Sequence, residues 1–295
     1  MLFFMKKTTD IYRQLWKTLY RKLTTLARSK KPLGTKFSDA EILNVYLWAV
    51  LNDRPVSWAA NKNNWPYYWQ KKLRLPNDST VSRRMKTLSA QNLFEKLEDG
   101  LKRILPPSVC RFIDAKPLMV NGCSKDREAG YGHAAGCKAK GYKLYAIADL
   151  SQGFVSWDIR AMQQNEAKVG FDLIKELETE CYIVGDTAYD SNKLYDAAIE
   201  KNCRLVAIKR RGKSKGLGHH YQSPARLYSI ELLKRKFGQN LIEARRCIEQ
   251  MFGQLTNLNC GLKPLPNWVR TLRRVKNWVR GKLIFNQLWR ILRRI

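Results

Sequence analysis

Three carboxylates in this chain stand where acids can do chemistry. Asp114 closes the run Arg111-Phe112-Ile113, and Asp186 follows Ile183-Val184-Gly185. Asp114 is expected inside or just past the first strand, and Asp186 at the carboxyl end of a central strand, the edge where α/β sheets place their ligands. Glu249 falls in a later stretch in which Leu241, Ala244, Ile248, Met251, Leu255 and Leu258 recur at helical steps as a buried stripe. Helical phase sets Glu249 off that stripe, in a row with Arg245 and Phe252, as a residue facing a cleft requires. Three carboxylates converging in a basic domain suit phosphoryl transfer assisted by two hard divalent ions, Mg²⁺ or Mn²⁺. Such ions take oxygen ligands, keep part of their water, and clamp the attacking and leaving oxygens. The 3 histidines are too few, and the 7 cysteines too scattered, to indicate a zinc centre. An Asp that caps the helical turn Thr187-Ala188-Tyr189, or an exposed Arg245–Glu249 ion pair, fits the same pattern, and spacing does not choose between these readings.

The elements that position these groups follow from apolar period and punctuation. Residues 8–29 read as a basic helix with Leu15, Trp16, Leu19 and Leu23 inward, ended by Lys30-Lys31-Pro32-Leu33-Gly34. Ser38-Asp39-Ala40-Glu41 is a capping box before Ile42 and Leu43. Trp58, Trp65 and Trp69 crowd a short irregular stretch. Asn77-Asp78-Ser79 caps a short helix carrying Arg83 and Arg84, and 89–104 forms another. After Pro106-Pro107 the texture changes. Strands are expected at 111–120, 142–149 and 154–162, the last two joined by the turn Ser151-Gln152-Gly153. A helix at 166–180, a strand at 182–185, a helix at 191–202 and a strand at 204–208 follow, then long helices over about 229–259 and 268–295. The fold class is α/β, a mixed sheet with flanking helices, preceded by an all-helical N-terminal domain and followed by a basic C-terminal helix. The domains expected are 1–105, 106–262 and 263–295.

The balance of 55 Lys+Arg against 25 Asp+Glu leaves a net charge of +30, in a chain that is 44% hydrophobic and carries 9 Trp, 13 Tyr and 10 Phe. That composition builds a core and excludes an unfolded basic tail. It also excludes cationic substrates and points to a polyanion, either nucleic acid or an anionic membrane surface. The cysteines read as free thiols of a reducing compartment. No apolar run approaches the roughly 20 residues of a membrane span. Met1 to Met5 is too short for a signal peptide. A cytoplasmic, nucleoid-associated protein is the expectation.

Five motifs then fall in order: Ile113-Asp114-Ala115-Lys116-Pro117; Gly141-Tyr142-Lys143-Leu144-Tyr145; Gln164-Asn165-Glu166; Val184-Gly185-Asp186-Thr187-Ala188-Tyr189-Asp190; and Arg245-Arg246-Cys247-Ile248-Glu249-Gln250-Met251-Phe252. Over roughly residues 105–260 the sequence resembles the bacterial insertion-sequence DDE transposases. The resemblance implies a ribonuclease-H-like catalytic domain in which Asp114, Asp186 and Glu249 bind the metal as two ions and support nicking at transposon ends. The freed 3′-hydroxyl would then attack target DNA. It implies double-stranded DNA as partner, both the terminal repeats and the target, and a homodimer in the synaptic complex. Arg245 and Arg246 would contact phosphate near the scissile bond. The chain departs from one subgroup, which carries Tyr and Lys where Ile242 and Thr256 stand here; one phosphate contact is lost and the triad is untouched. Glu243 lacks the flanking pattern of a third ligand.

Further DNA contacts are expected at Arg83 and Arg84, in a helix-turn-helix-like arrangement; at Lys143; at Arg210 and Arg211 in a cationic loop; and at Arg273 and Arg274. The last two lie in a segment, Gln250 to Ile295, without a single Asp or Glu. There Leu272, Val275 and Val279 turn inward while the arginines stay outside. A solvated basic helix face, a plain solvated loop and a membrane-surface helix are the rival readings of these regions. For the whole chain the rivals are a metal-dependent nuclease without strand transfer and a catalytically silent DNA-binding relic.

Overall fold

The computed structural model describes residues 2–26, 34–120, 124–134, 136–210, 221–258 and 260–294. In chain order the elements are α1 (Leu2–Leu26), α2 (Asp39–Leu51), α3 (Val56–Ala59), α4 (Tyr67–Lys72), α5 (Asp78–Arg84), α6 (Leu88–Lys102), β1 (Cys110–Met119), β2 (Gly130–Ala134), β3 (Cys137–Asp149), β4 (Gly153–Ala161), α7 (Glu166–Lys175), β5 (Tyr182–Gly185), α8 (Asn192–Glu200), β6 (Arg204–Ala207), α9 (Pro224–Lys234), α10 (Lys236–Ala244), α11 (Arg246–Asn257) and α12 (Leu272–Arg294). They form two compact units. One holds Met1–Ile104, Leu258–Gly261 and Trp278–Ile295; the other holds Leu105–Asn257 and Leu262–Asn277. The C-terminal segment, set apart on sequence as 263–295, is thus shared between the two.

The first unit is helical. Ser38 and Glu41 cap α2 reciprocally, the Ser38 hydroxyl accepting from the Glu41 N–H at 3.3 Å and the Glu41 carboxylate accepting from the Ser38 N–H at 2.7 Å. Trp16, Tyr20, Trp48, Trp65 and Trp69 pack ring against ring with centroids 4.5 to 6.4 Å apart. This cluster organises the tryptophan-rich stretch into α3, a 3₁₀ turn and α4. Arg84 reaches from α5 to the Asp39 carboxylate and, at 3.1 Å, to the Phe37 carbonyl; the Ser89 hydroxyl donates to the same carboxylate. The half of α12 in this unit is largely buried. Its Arg280 meets Glu98 at 3.0 Å and Glu95 at 3.2 Å, and its Lys282 donates to the Val50 carbonyl at 2.7 Å and to Asp53. Cations that sequence periodicity sends outward are here neutralised inside.

The second unit is a six-stranded mixed sheet of order β2-β3-β1-β5-β6, with β4 pairing β3 along the stretch that β2 leaves open. β1, β3 and β4 are antiparallel, whereas β1, β5 and β6 run parallel. Helices α7 and α8 cover one face, where Ile113, Tyr145, Ile147, Val169, Leu173, Ile183, Leu194, Ala198 and Leu205 share a buried core. On the other face α11 lies against β1, and Phe252 stacks on Phe154 with centroids 5.4 Å apart.

The helix expected over 166–180 ends at Lys175, and three larger differences separate the structure from the sequence expectation. Strand β2 carries no apolar alternation because its glycines serve close approach; a Cβ on Gly132 would sit 2.7 Å from the Met162 side chain and 2.8 Å from its carbonyl oxygen. The helix expected over 229–259 is three helices. Arg235 turns extended at φ −90°, ψ 153°, and Gly238 approaches Leu232 so closely that a Cβ would meet its carbonyl oxygen at 2.2 Å. At Arg245 the winding tightens, with the Arg245 N–H bonded to the Ile242 carbonyl and the Ile248 N–H to the Arg245 carbonyl. Finally, α12 begins at Leu272, after Thr271 in the left-handed region (φ 71°), whose N–H donates to Asp126 at 2.9 Å. None of the described helices is long and apolar enough to cross a membrane.

Candidate active site

Alternation along β1 puts Phe112, Asp114 and Lys116 on one face and Ile113 and Ala115 on the other. Ile113 belongs to the core under α7 and α8, so Asp114 looks out on the α11 side. β1 pairs with β5 only as far as Phe112↔Val184. Two residues further along each chain come Asp114 and Asp186, so the register sets both acids level on the same face, where β5 has ended and β1 runs on. Asp114 therefore lies within β1, as the strand expected over 111–120 places it. Asp186 ends β5 and caps the following turn, accepting from the Ala188 N–H at 2.9 Å. The capping reading and the site reading hold together for this residue. Its second oxygen has no protein hydrogen bond among the described residues.

Glu249 comes from α11, off the buried stripe of Ile248, Met251 and Leu255, and its side chain is 60% exposed. The tightened joint at Arg245 turns that guanidinium toward both acids. Arg245 lies 3.6 Å from Asp114 and 3.2 Å from Glu249. Burial pushes the Asp114 carboxyl up to about 6. The Ala115 N–H opposes the shift, the Asp186 charge adds to it, Arg245 counters it, and Glu166 adds again. Among the described residues no three acids, histidines or cysteines are gathered as a metal cage. The cation that the acids share is the Arg245 guanidinium.

Glu166, at the first turn of α7, also belongs to this surrounding. It pairs with Lys143 at 2.7 Å, and its charge acts on Asp114, Tyr145 and Tyr189. Tyr189 is fully buried and its hydroxyl has no hydrogen-bond partner among the described residues. Lys116 shares the Asp114 face, half-buried, its ammonium 6.0 Å from the Phe252 ring, with burial holding its pKa below the ordinary lysine value. All three stand inside the motifs of the sequence. For Lys116 the signal was a cation inside a strand; Glu166, in the polar run Gln164-Asn165-Glu166, and Tyr189 carried none, and nothing there marks them as part of the site. Asp190, at the end of the same motif as Asp186, is a fastener: it holds Arg226 at 2.7 and 2.6 Å and accepts from the Arg210 N–H at 2.8 Å.

The residues expected on DNA are scattered over the structure. Arg83, Arg210, Arg246, Arg273 and Arg274 are exposed. Arg84 is bound to Asp39, and Lys143 to Glu166, so neither ammonium nor guanidinium is free. Arg211 lies outside the described residues. The protein family described as transposase DDE domain matches residues 105–284, which span the whole sheet and its flanking helices. No curated protein and no solved structure matches the chain.

Proposed function

The chain belongs to the transposase DDE domain family, a family of DNA-processing enzymes, and from that premise we propose that it cuts DNA at transposon ends and joins the freed 3′-hydroxyls to target DNA in a divalent-metal-dependent reaction. The observation that carries the reading is Asp114: a carboxylate forced up to about 6 by burial, level with Asp186, and tied through Arg245 to Glu249. Such a pocket seeks a cation.

The donor set fits Mg²⁺ or Mn²⁺, because Asp114, Asp186 and Glu249 offer only oxygen. Two such ions, when bound, activate the attacking oxygen and neutralise the leaving one. The chain itself supplies orientation. Strands β1 and β5 fix the first two carboxylates on the sheet, and α11 brings the third. Arg245, exchanged from the acids, becomes a phosphate contact, with Arg246 beside it. We further read the second unit as ribonuclease-H-like, on its three antiparallel strands continuing into a parallel pair under helices. The bacterial insertion-sequence origin, the homodimeric synaptic complex and the nucleoid association belong to this reading as well. Exposed Arg83, Arg210, Arg246, Arg273 and Arg274 are assigned to the DNA backbone. Lys143 and Arg84 would have to exchange their present carboxylate partners.

A supercoiled plasmid carrying the element's ends, incubated with the protein and Mg²⁺ or Mn²⁺, tests the proposal. Joined strand-transfer products are expected. Cleavage without joining would reduce the protein to a nuclease, and binding alone would leave a silent relic. A second expectation concerns Arg245. Replacing it with Gln removes a like charge beside the metal position and should raise the Mn²⁺ affinity of the DNA-free protein by up to about tenfold. Arg246→Gln, the same charge change one residue on, should shift it far less. Electron paramagnetic resonance of free Mn²⁺ reads both. A weaker affinity in Arg245→Gln would make the arginine a support of the site and not a competitor for it.

A further inference from the structure

Between Asp53 and Asp78 the chain carries Arg54, Lys62, Lys71, Lys72 and Arg74 and no acid. In the middle of this stretch lies α4, a helix of 6 residues, Tyr-Tyr-Trp-Gln-Lys-Lys. One side is fastened. Trp69 packs against Tyr20 with centroids 4.5 Å apart and against Trp16 at 6.4 Å, and the Gln70 amide donates to the Trp65 carbonyl at 2.7 Å. The other side is open: Tyr67 is 71% exposed and Tyr68 58%. Each ring has its own cation. The Lys71 ammonium lies 4.7 Å from the Tyr67 centroid and the Lys72 ammonium 4.3 Å from that of Tyr68. Two large rings held in water on a rigid base, each beside an ammonium and far from any acid in sequence, ask for an occupant that offers π-faces and negative charge together.

We propose that α4 is a stacking platform for unpaired nucleobases, with Tyr67 and Tyr68 taking the bases and Lys71, Lys72 and Arg74 the adjoining phosphates. This rests on the reading that the protein processes DNA, and it adds the class of strand that the helical unit holds: single-stranded or opened DNA. Rings stack on bases of any sequence, and the cations add a salt-dependent hold on the backbone. An acidic protein would meet the cations but leave the rings uncovered. A second copy of this chain would set cation against cation.

The test uses the full-length protein and two fluorescein-labelled probes of equal length, an oligothymidine and a mixed-sequence duplex, followed by anisotropy across a salt series. Substituting both Tyr67→Ala and Tyr68→Ala should weaken oligothymidine binding about tenfold or more. The slope of log affinity against log salt should not change, because no cation has been removed. Tyr67→Phe with Tyr68→Phe should keep wild-type affinity, since the rings remain. Both positions are exposed, and circular dichroism checks that the fold is retained. Unchanged oligothymidine affinity in the alanine variant overturns the proposal. So does an equal loss on both probes with a shallower salt slope, which would leave α4 a purely ionic contact. A variant that binds DNA normally but sediments as a smaller species would make the platform a contact between copies, and also overturns it. If the wild-type protein binds neither probe, the DNA-processing reading itself falls, and the failure is thereby told apart from that of the platform.

Discussion

Asp114→Asn is expected to abolish DNA cleavage while making the metal-free protein more stable at neutral pH. The two effects have one cause. Burial and the neighbouring Asp186 lift the folded-state pKa of Asp114 from 3.8 to about 6, so the ionised carboxylate is disfavoured in the native state. A group with a raised folded pKa contributes its full stability below the unfolded value, and loses it as pH rises through the folded value. For Asp114 the window runs from about pH 4 to about pH 6, and at pH 7 the native state carries the whole cost. Two pKa units correspond to about 3 kcal/mol; with a side chain still 20% exposed and Arg245 at 3.6 Å, about 2 kcal/mol is expected to return on substitution by Asn. Urea unfolding should find Asp114→Asn more stable than wild type at pH 7, and the difference should vanish near pH 4. Normal cleavage by the variant would remove Asp114 from the site, and equal stability at pH 7 would remove the electrostatic account.

Asp149→Ala should cost about 4 kcal/mol of stability, the largest structural effect expected in the second unit. Asp149 ends β3, fully buried, and accepts hydrogen bonds from the Ser108 N–H at 2.9 Å, the Ser108 hydroxyl at 2.5 Å, the Ser151 N–H at 2.7 Å and the Gln152 N–H at 3.0 Å, besides Arg111 at 3.2 Å. It pins the approach to β1 and the β3–β4 hairpin to one point. Burial alone would raise its pKa, but the Ser108 hydroxyl and the Gln152, Ser108 and Ser151 amides outweigh burial and leave it below the ordinary aspartate value. By the same linkage its contribution is present above about pH 4 and is lost as pH falls through the lowered folded value. Removal strands a buried guanidinium whose remaining side-chain partner is the Thr179 hydroxyl at 2.6 Å. Chemical denaturation at neutral pH measures the loss; a change below about 1 kcal/mol would contradict this account of the hairpin.

Much of the fold was legible because it is written in local signals. The Ser38–Glu41 box starts α2, Ser151-Gln152-Gly153 turns β3 into β4, and the runs before Asp114 and Asp186 are strands. Asp114 and Asp186 stand out because a carboxylate after Phe-Ile or Val-Gly is out of place in a core. What stayed hidden are long-range contacts. The tightening at Arg245 is a single residue inside an apolar stripe that continues on both sides of it, and the extended residue at Arg235 lies before that stripe begins at Leu241. β2 is defined by what approaches its glycines and not by its own side chains. The burial of Arg280 and Lys282 depends on Glu98 and Asp53, far away in sequence, which no helical pattern can announce. For the same reason Arg84 and Lys143 read as free cations, although carboxylates on other elements hold them.

Asp114, Asp186 and Glu249 are proposed to hold a divalent cation. Titration of Mn²⁺ into wild-type protein and into Asp186→Asn, followed calorimetrically, tests it most directly. Asp186 lies level with Asp114 and has an oxygen to spare beyond its cap. The prediction is saturable binding to wild type and a loss of about tenfold or more in affinity on substitution. Equal Mn²⁺ affinity in the two proteins would contradict it.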